Sequence, residues 1–304
     1  MAKVFVTRAL PGDALERLRA EHDVTVWEEA LPPAPESLRK AVADVEGLLC
    51  LLTERIDAQL LDAAPHLRAI ANFAVGTDNI DLALTRARRI PVGVTPDVLT
   101  EATADLAFAL LLAAARRLPE AAAAAKAGEW RTWEPAGWLG ADVQGATLGI
   151  VGFGRIGRAT AGRAEGFGMT VRSTADTDLE TLLAESDFVS LHCPLTDKTH
   201  HLIDAAALNR MKPTAILVNT ARGGVVDQSA LIEALHTGTI AAAAIDVTDP
   251  EPPPPGDPIF DTPNLLVVPH IGSATRTARA RMTELSVENL LAGLAGRPMP
   301  HPAP

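Results

Sequence analysis

Short apolar runs separated by amphipathic stretches set the rhythm of this chain from its first residues. Residues 4–7, 24–27, 47–51, 69–72 and 92–94 are rich in β-branched and other apolar side chains and predict strands. Between them, 12–20, 36–42, 57–64 and 82–88 repeat apolar positions at helical spacing. A long helix is predicted from Thr100, a capping residue followed by Glu101, through the apolar run 106–115 to about residue 117. The alternation then resumes. Strands are predicted at 147–151, 170–173, 188–192, 216–219, 241–246 and 265–268, and helices at 156–167, 179–185, 229–236 and 276–294. Strands alternating with helices predict parallel sheets covered on both faces. The segment 250–258, PEPPPPGDP, is too proline-rich for either element and predicts a stiff surface loop.

Length and charge narrow the function classes. A chain of 304 residues suggests two domains, and its 47% hydrophobic content excludes a disordered polymer. The net charge is −11, so neither nucleic acid nor an anionic membrane is an expected partner. The longest apolar run is about half a membrane span, and the apolar run near the N-terminus is too short for a signal peptide, so a soluble cytoplasmic protein is expected. Cys50 and Cys193 each lie in a strand-like apolar run and are expected as buried thiols of a reducing compartment. Adjacent His200 and His201 suggest a metal ligand only weakly, because neighbouring residues seldom chelate one ion; no metal is expected.

Gly152-Phe-Gly154-Arg155-Ile156-Gly157 follows one predicted strand and opens a predicted helix. The string is weak alone and gains force from that context. The first glycine permits a tight turn, the second close approach to a pyrophosphate, and the third close packing of helix on strand. Free N–H groups at the helix start would then face phosphates. Downstream, Arg222, Glu251 and His270 each lie shortly past the end of a predicted strand. Ligands of open parallel sheets collect outside the carboxyl ends of strands, so the three are expected on one rim. Their chemistry is complementary. A guanidinium holds a carboxylate and polarises a carbonyl, an imidazole delivers a proton near neutrality, and a glutamate stabilises the imidazolium.

LGIVGFGRIGRA, VNTARGGVVD, AIDVTDPEP and PHIGSAT, in that order, resemble the D-isomer-specific 2-hydroxyacid dehydrogenase family. NFAVGTDNID and TPDVLTEATADLAFALLLAAARR upstream are similar to its glyoxylate/hydroxypyruvate reductase branch. The resemblance implies two doubly wound parallel-sheet α/β domains. A Rossmann cofactor domain, residues 99–271, is inserted into a flavodoxin-like substrate domain, 1–98 plus 272–304. It gives Arg222, Glu251 and His270 the catalytic roles above. It assigns coenzyme contacts to Gly152, Gly154, Arg155, Ile156, Gly157, Thr103, Cys193, Pro194, Thr220, Ala221 and Asp246, the last near the nicotinamide amide. Backbone N–H groups around Val75 and Gly76 would hold the substrate carboxylate, with Leu51 and Leu52 walling the pocket. A tryptophan from the region of Trp130, Trp133 and Trp138 reaches the neighbouring subunit in this branch. A homodimer is expected, also because the helix from Thr100 is apolar on too many faces to be half-solvated.

The sequence departs from the pattern after its second cofactor-domain strand, where the branch often carries a serine–arginine pair and a longer segment. Here 170–178 reads TVRSTADTD and runs straight into the next helix. Asp176 falls near the expected arginine, which favours NAD, with NADP the other possibility; Arg172 falls inside the strand. The leading expectation is therefore NAD(P)H-dependent reduction of glyoxylate or hydroxypyruvate. A second reading is a dinucleotide-sensing, corepressor-like binding protein on the same scaffold. A third, a formate dehydrogenase, is opposed by Glu251, where that branch carries glutamine.

Overall fold

The computed structural model describes residues 1–304. The chain divides into two compact units, Met1–Leu99 with Ala274–Pro304, and Thr100–Ser273. The first unit begins β1 (Lys3–Val6), α1 (Leu15–Glu21), β2 (Asp23–Val26), α2 (Pro35–Ala41), β3 (Gly47–Cys50), α3 (Ala58–Ala63), β4 (Ala69–Asn72), α4 (Leu82–Ala87) and β5 (Val92–Gly93). Its sheet runs β2-β1-β3-β4-β5, every pair parallel. Successive strand residues point to opposite faces, and both faces are covered. Val4, Val6, Leu49 and Ala71 pack on Leu15 and Leu18 of α1, while Phe5, Leu48 and Ile70 pack on Leu38, Leu60 and Leu61 of α2 and α3.

The second unit comprises α5 (Thr100–Ala115), α6 (Leu118–Lys126), β6 (Thr147–Val151), α7 (Arg155–Glu165), β7 (Thr170–Ser173), α8 (Leu179–Glu185), β8 (Phe188–Leu191), α9 (Ala205–Arg210), β9 (Ile216–Asn219), α10 (Gln228–Thr237), β10 (Ala242–Ile245) and β11 (Leu265–Val267). The sheet order is β11-β10-β9-β8-β6-β7, all parallel. Order reverses at β6, whose neighbours are β7 and β8. The switch point, where such sheets open a crevice, therefore lies beyond the carboxyl ends of β6 and β8. One face buries Ala107, Phe108 and Leu111 of α5 against Leu148, Ile150 and Val218; the other packs Leu191 and Leu217 on Leu208, Leu231 and Leu235. The chain then returns to the first unit as α11 (Arg276–Leu294), capped by Thr275, whose Val287 and Leu290 join the α1 side of that core.

Three local expectations change. The helix from Thr100 stops at Ala115, and Arg117 turns the backbone left-handed (φ 50°) into α6, which the sequence reading missed. Pro119 reads as a breaker but sits in the first turn of α6, where no N–H is needed. Second, α9 escapes the sequence reading, although α3 and α4 are equally short, because its first three residues are alanines that mark no apolar stripe; its signal is Asp204, whose carboxylate accepts from the Ala207 N–H. Third, the apolarity of α5 is largely answered inside its own unit, by burial of Thr103, Ala104, Ala107, Phe108, Leu110, Leu111 and Ala115. No helix is long and apolar enough to cross a membrane.

Candidate active site

The glycine turn stands at the switch point of the second sheet. Gly152 has φ +95°, and a Cβ there would lie 2.5 Å from the Cys193 nitrogen, so the turn after β6 closes on the chain after β8 only with glycine. A Cβ on Gly157 would meet the Gly152 carbonyl oxygen at 2.3 Å. Gly154 differs, since nothing in the chain lies within 4 Å of its missing Cβ. It caps α7 with no side-chain acceptor, which leaves the first N–H groups of an 11-residue helix exposed to that space. The protein's own packing thus requires Gly152 and Gly157, whereas the bareness at Gly154 fits a phosphate drawn up to the helix start. Thr220 supports the same fit, because its Oγ is buried without a hydrogen-bond partner. The residues present therefore suit a dinucleotide.

Around this turn the side chains take specific postures. Cys193 packs into the apolar core, and burial raises its thiol's pKa. His192, just past β8, pairs Nε2 with the Ser190 Oγ at 2.9 Å and buries Nδ1 without a partner; burial pushes its pKa down to about 4. At the end of β7, the Thr174 Oγ accepts from the Gly152 N–H at 3.0 Å. Asp176 turns one carboxylate oxygen back onto the Ser173 hydroxyl (3.0 Å) and N–H (3.2 Å), which lowers its pKa. Arg172 points to Glu185, 2.7 Å away. No Arg or Lys occurs between Ser173 and Asp178.

The three candidate catalytic residues follow β9, β10 and β11. Asn219 ends β9 and shapes the next turn: its amide donates to the Arg222 carbonyl (2.9 Å) and its oxygen accepts from the Ala221 N–H (3.0 Å). Arg222 is half-buried and donates to the Ala221 carbonyl at 2.8 Å. A Cβ on Gly223 would fall 1.9 Å from the Thr248 carbonyl oxygen, so this turn abuts the loop that carries Glu251. The Glu251 Oε1 lies 2.5 Å from His270 Nδ1, with the two side chains 30% and 27% exposed. His270 has φ +52°, a strained posture for a residue with a side chain.

Asp246 holds that posture. Its oxygens accept from the Ile271 N–H (2.6 Å) and the Gly272 N–H (2.7 Å), and its carbonyl accepts from the His270 N–H (3.0 Å). Burial raises the pKa of this carboxyl, partly offset by those N–H groups and the neighbouring imidazole. The sequence reading put Asp246 beside a nicotinamide amide. In the structure each of its oxygens accepts one backbone N–H that fixes the turn of His270 and keeps a lone pair for a further donor. Thr103 is buried, its side chain against Gly272.

In the first unit, Leu52 lies just past β3, and Val75 and Gly76 just past β4, at the carboxyl edge of that sheet. Val75 is 40% exposed. Neither its N–H nor that of Gly76 has an acceptor within the chain. A polar network missed from sequence positions both loops. Buried Glu54 accepts from the Thr7 hydroxyl (2.6 Å) and the Leu51 N–H (2.7 Å), Asn79 donates to the carbonyls of Leu51 and Glu54 (both 3.0 Å), and Asn72 donates to the Gly76 carbonyl (2.9 Å). A buried acid within LLTERID was the available signal. Trp130, Trp133 and Trp138 are 76%, 81% and 48% exposed.

Comparison with known proteins agrees with this geometry. The pattern of the D-isomer specific 2-hydroxyacid dehydrogenase NAD binding domain matches residues 108–272. A glyoxylate reductase of Korarchaeum cryptofilum is 48% identical over 314 residues, covering 98% of this chain and 95% of that protein. A Thermus thermophilus protein of known crystal structure superposes with a TM-score of 0.94 at 51% identity, covering 99% and 100%. A Sinorhizobium meliloti NADPH-dependent glyoxylate/hydroxypyruvate reductase, solved with NADP and malonate, superposes with a TM-score of 0.87 at 33% identity, covering 99% and 96%.

Proposed function

The chain belongs to the D-isomer specific 2-hydroxyacid dehydrogenase family, and from that membership we propose that it reduces glyoxylate, and hydroxypyruvate as a second small 2-keto acid, with NAD(P)H. The observation that carries the assignment of residues is the 2.5 Å pairing of His270 Nδ1 with Glu251, on the sheet edge that also bears the glycine turn.

The reduced nicotinamide, when bound, supplies the hydride to the keto carbon. The remaining work falls to side chains. The Arg222 guanidinium binds the carboxylate and polarises the keto oxygen, lowering the cost of charge that develops there. His270 delivers a proton from Nε2 to that oxygen, since Nδ1 is engaged with Glu251. The Glu251 carboxylate accepts from Nδ1 and so orients the ring, and Asp246 keeps the ring's backbone in place. Val75, Gly76 and Leu52 keep the substrate-holding role that the resemblance implies. For the coenzyme, we assign the pyrophosphate to Gly152, Gly154, Arg155, Ile156 and Gly157, with Thr103 as a further phosphate donor. Backbone groups of Cys193, Pro194, Thr220 and Ala221 line the nicotinamide side. Asp176, in a segment with no cation, favours a ribose diol over a 2′-phosphate, so NADH is the preferred coenzyme.

A homodimer and a cytoplasmic location complete the proposal. The exposed indoles of Trp130 and Trp133 support self-association, because single-chain surfaces seldom present large apolar groups together. A monomer by light scattering would reject it. The alternative of a dinucleotide-sensing scaffold finds no support in these similarities. The deciding experiment is a set of initial rates for glyoxylate and hydroxypyruvate, each with NADH and NADPH. Turnover of glyoxylate with either coenzyme is expected; no oxidation of either coenzyme with either acid would refute the assignment.

A further inference from the structure

Three side chains outside the catalytic set converge on the surface of the second unit: His200, His201 and Asp249. All are exposed, and one potential ligand atom from each lies within 4.8 Å of the other two. Adjacent histidines normally diverge. Here His201 adopts φ +50°, which brings the two rings side by side, centroids 4.0 Å apart and planes 23° from parallel. Neither imidazole hydrogen-bonds to the protein, and no cation pairs with the Asp249 carboxylate. The backbones beneath them are fixed. The His200 N–H donates to the Thr196 carbonyl (2.8 Å), the His201 N–H to the Gly224 carbonyl (2.8 Å), and the Asp249 N–H to the Gln228 side chain (3.1 Å).

We propose that His200, His201 and Asp249 form a surface site for a borderline divalent cation of the Zn²⁺ type. Two neutral imidazoles and one carboxylate are the donor set such ions prefer over Mg²⁺ or Ca²⁺, whose ligands are oxygens. Tetrahedral donors around Zn²⁺ at about 2.0–2.2 Å stand about 3.3–3.6 Å apart, so the three side chains need to close by about 1 Å, a rotation that their exposure permits. Water completes the coordination. The site is distinct from the reductase assignment but mechanically joined to it. Asp249 lies two residues from Glu251 in one loop, and the turn at 200–201 is bonded to Gly224, two residues beyond Arg222. A bound ion therefore ties the loop after β10 to the turn at 200–201.

Calorimetric titration of the full chain with Zn²⁺ in a non-chelating buffer at neutral pH tests this. One equivalent should bind with a Kd on the order of micromolar. His200→Gln and Asp249→Asn, made separately, should each weaken binding at least tenfold. Saturating Zn²⁺ should raise the melting temperature of the unaltered protein by a few degrees and leave that of either variant unchanged. Without metal the variants should melt like the parent, since both positions are exposed. Binding by the variants equal to that of the parent, or parent binding only at millimolar Zn²⁺, would overturn the proposal.

Discussion

Replacing Glu251 by glutamine asks how much the carboxylate contributes to proton delivery. The side chain keeps its size, and its carbonyl oxygen can still accept from His270 Nδ1, so the 2.5 Å contact loses charge and keeps its shape. Formal charges about 4 Å apart interact by about 4 kcal/mol at an effective dielectric near 20. With the two groups 30% and 27% exposed, solvent screens this to about 2 kcal/mol. The protonated ring is needed in the reduction, so the loss falls on the barrier. Two kilocalories correspond to about a 30-fold fall in kcat/KM for glyoxylate. The assay is steady-state coenzyme oxidation, with thermal melting alongside. The melting temperature should stay within about 2 °C, because the substitution is isosteric and partly exposed. A variant within threefold of the parent would show that the Glu251 charge does not contribute to proton delivery.

Gly223→Ala would put a methyl group 1.9 Å from the Thr248 carbonyl oxygen; a loss of about 2–4 kcal/mol in denaturant unfolding, together with activity, is expected, and unchanged stability would contradict the close approach. His192 binds a proton more weakly in the fold, at about pH 4, than in the unfolded chain at 6.5. Stability should therefore fall as pH drops from about 6.5 towards 4, by roughly 2–3 kcal/mol in all, with nothing lost above that window. His192→Asn should flatten that slope in urea titrations at pH 7, 5.5 and 4.5, and a slope identical to the parent's would exclude His192 as its source. Asp176→Arg should raise kcat/KM for NADPH relative to NADH by tenfold or more; an unchanged ratio would remove Asp176 from the ribose site.

The alternation of strands and helices was legible because each element writes its own burial pattern into neighbouring residues. Fully apolar β3 and β4 read as strands of a covered parallel sheet, and α11 was predicted over its observed range because Thr275 and nineteen helical positions are consecutive. The glycine turn was equally local. The alanine-rich α6 and α9 escaped, since runs of alanine mark no apolar stripe and Pro119 reads as a breaker. What only the tertiary structure decided is which distant groups meet. Glu251 and His270 are 19 residues apart, yet their atoms touch because parallel β10 and β11 end on the same edge and Asp246 bends the turn between them. Asp249 joins His200 and His201 for a like reason: the turn that pairs with the histidines also abuts its loop. Hydrogen bonds and packing between strand ends depend on register and loop closure, and neither property is stored in any short window of sequence.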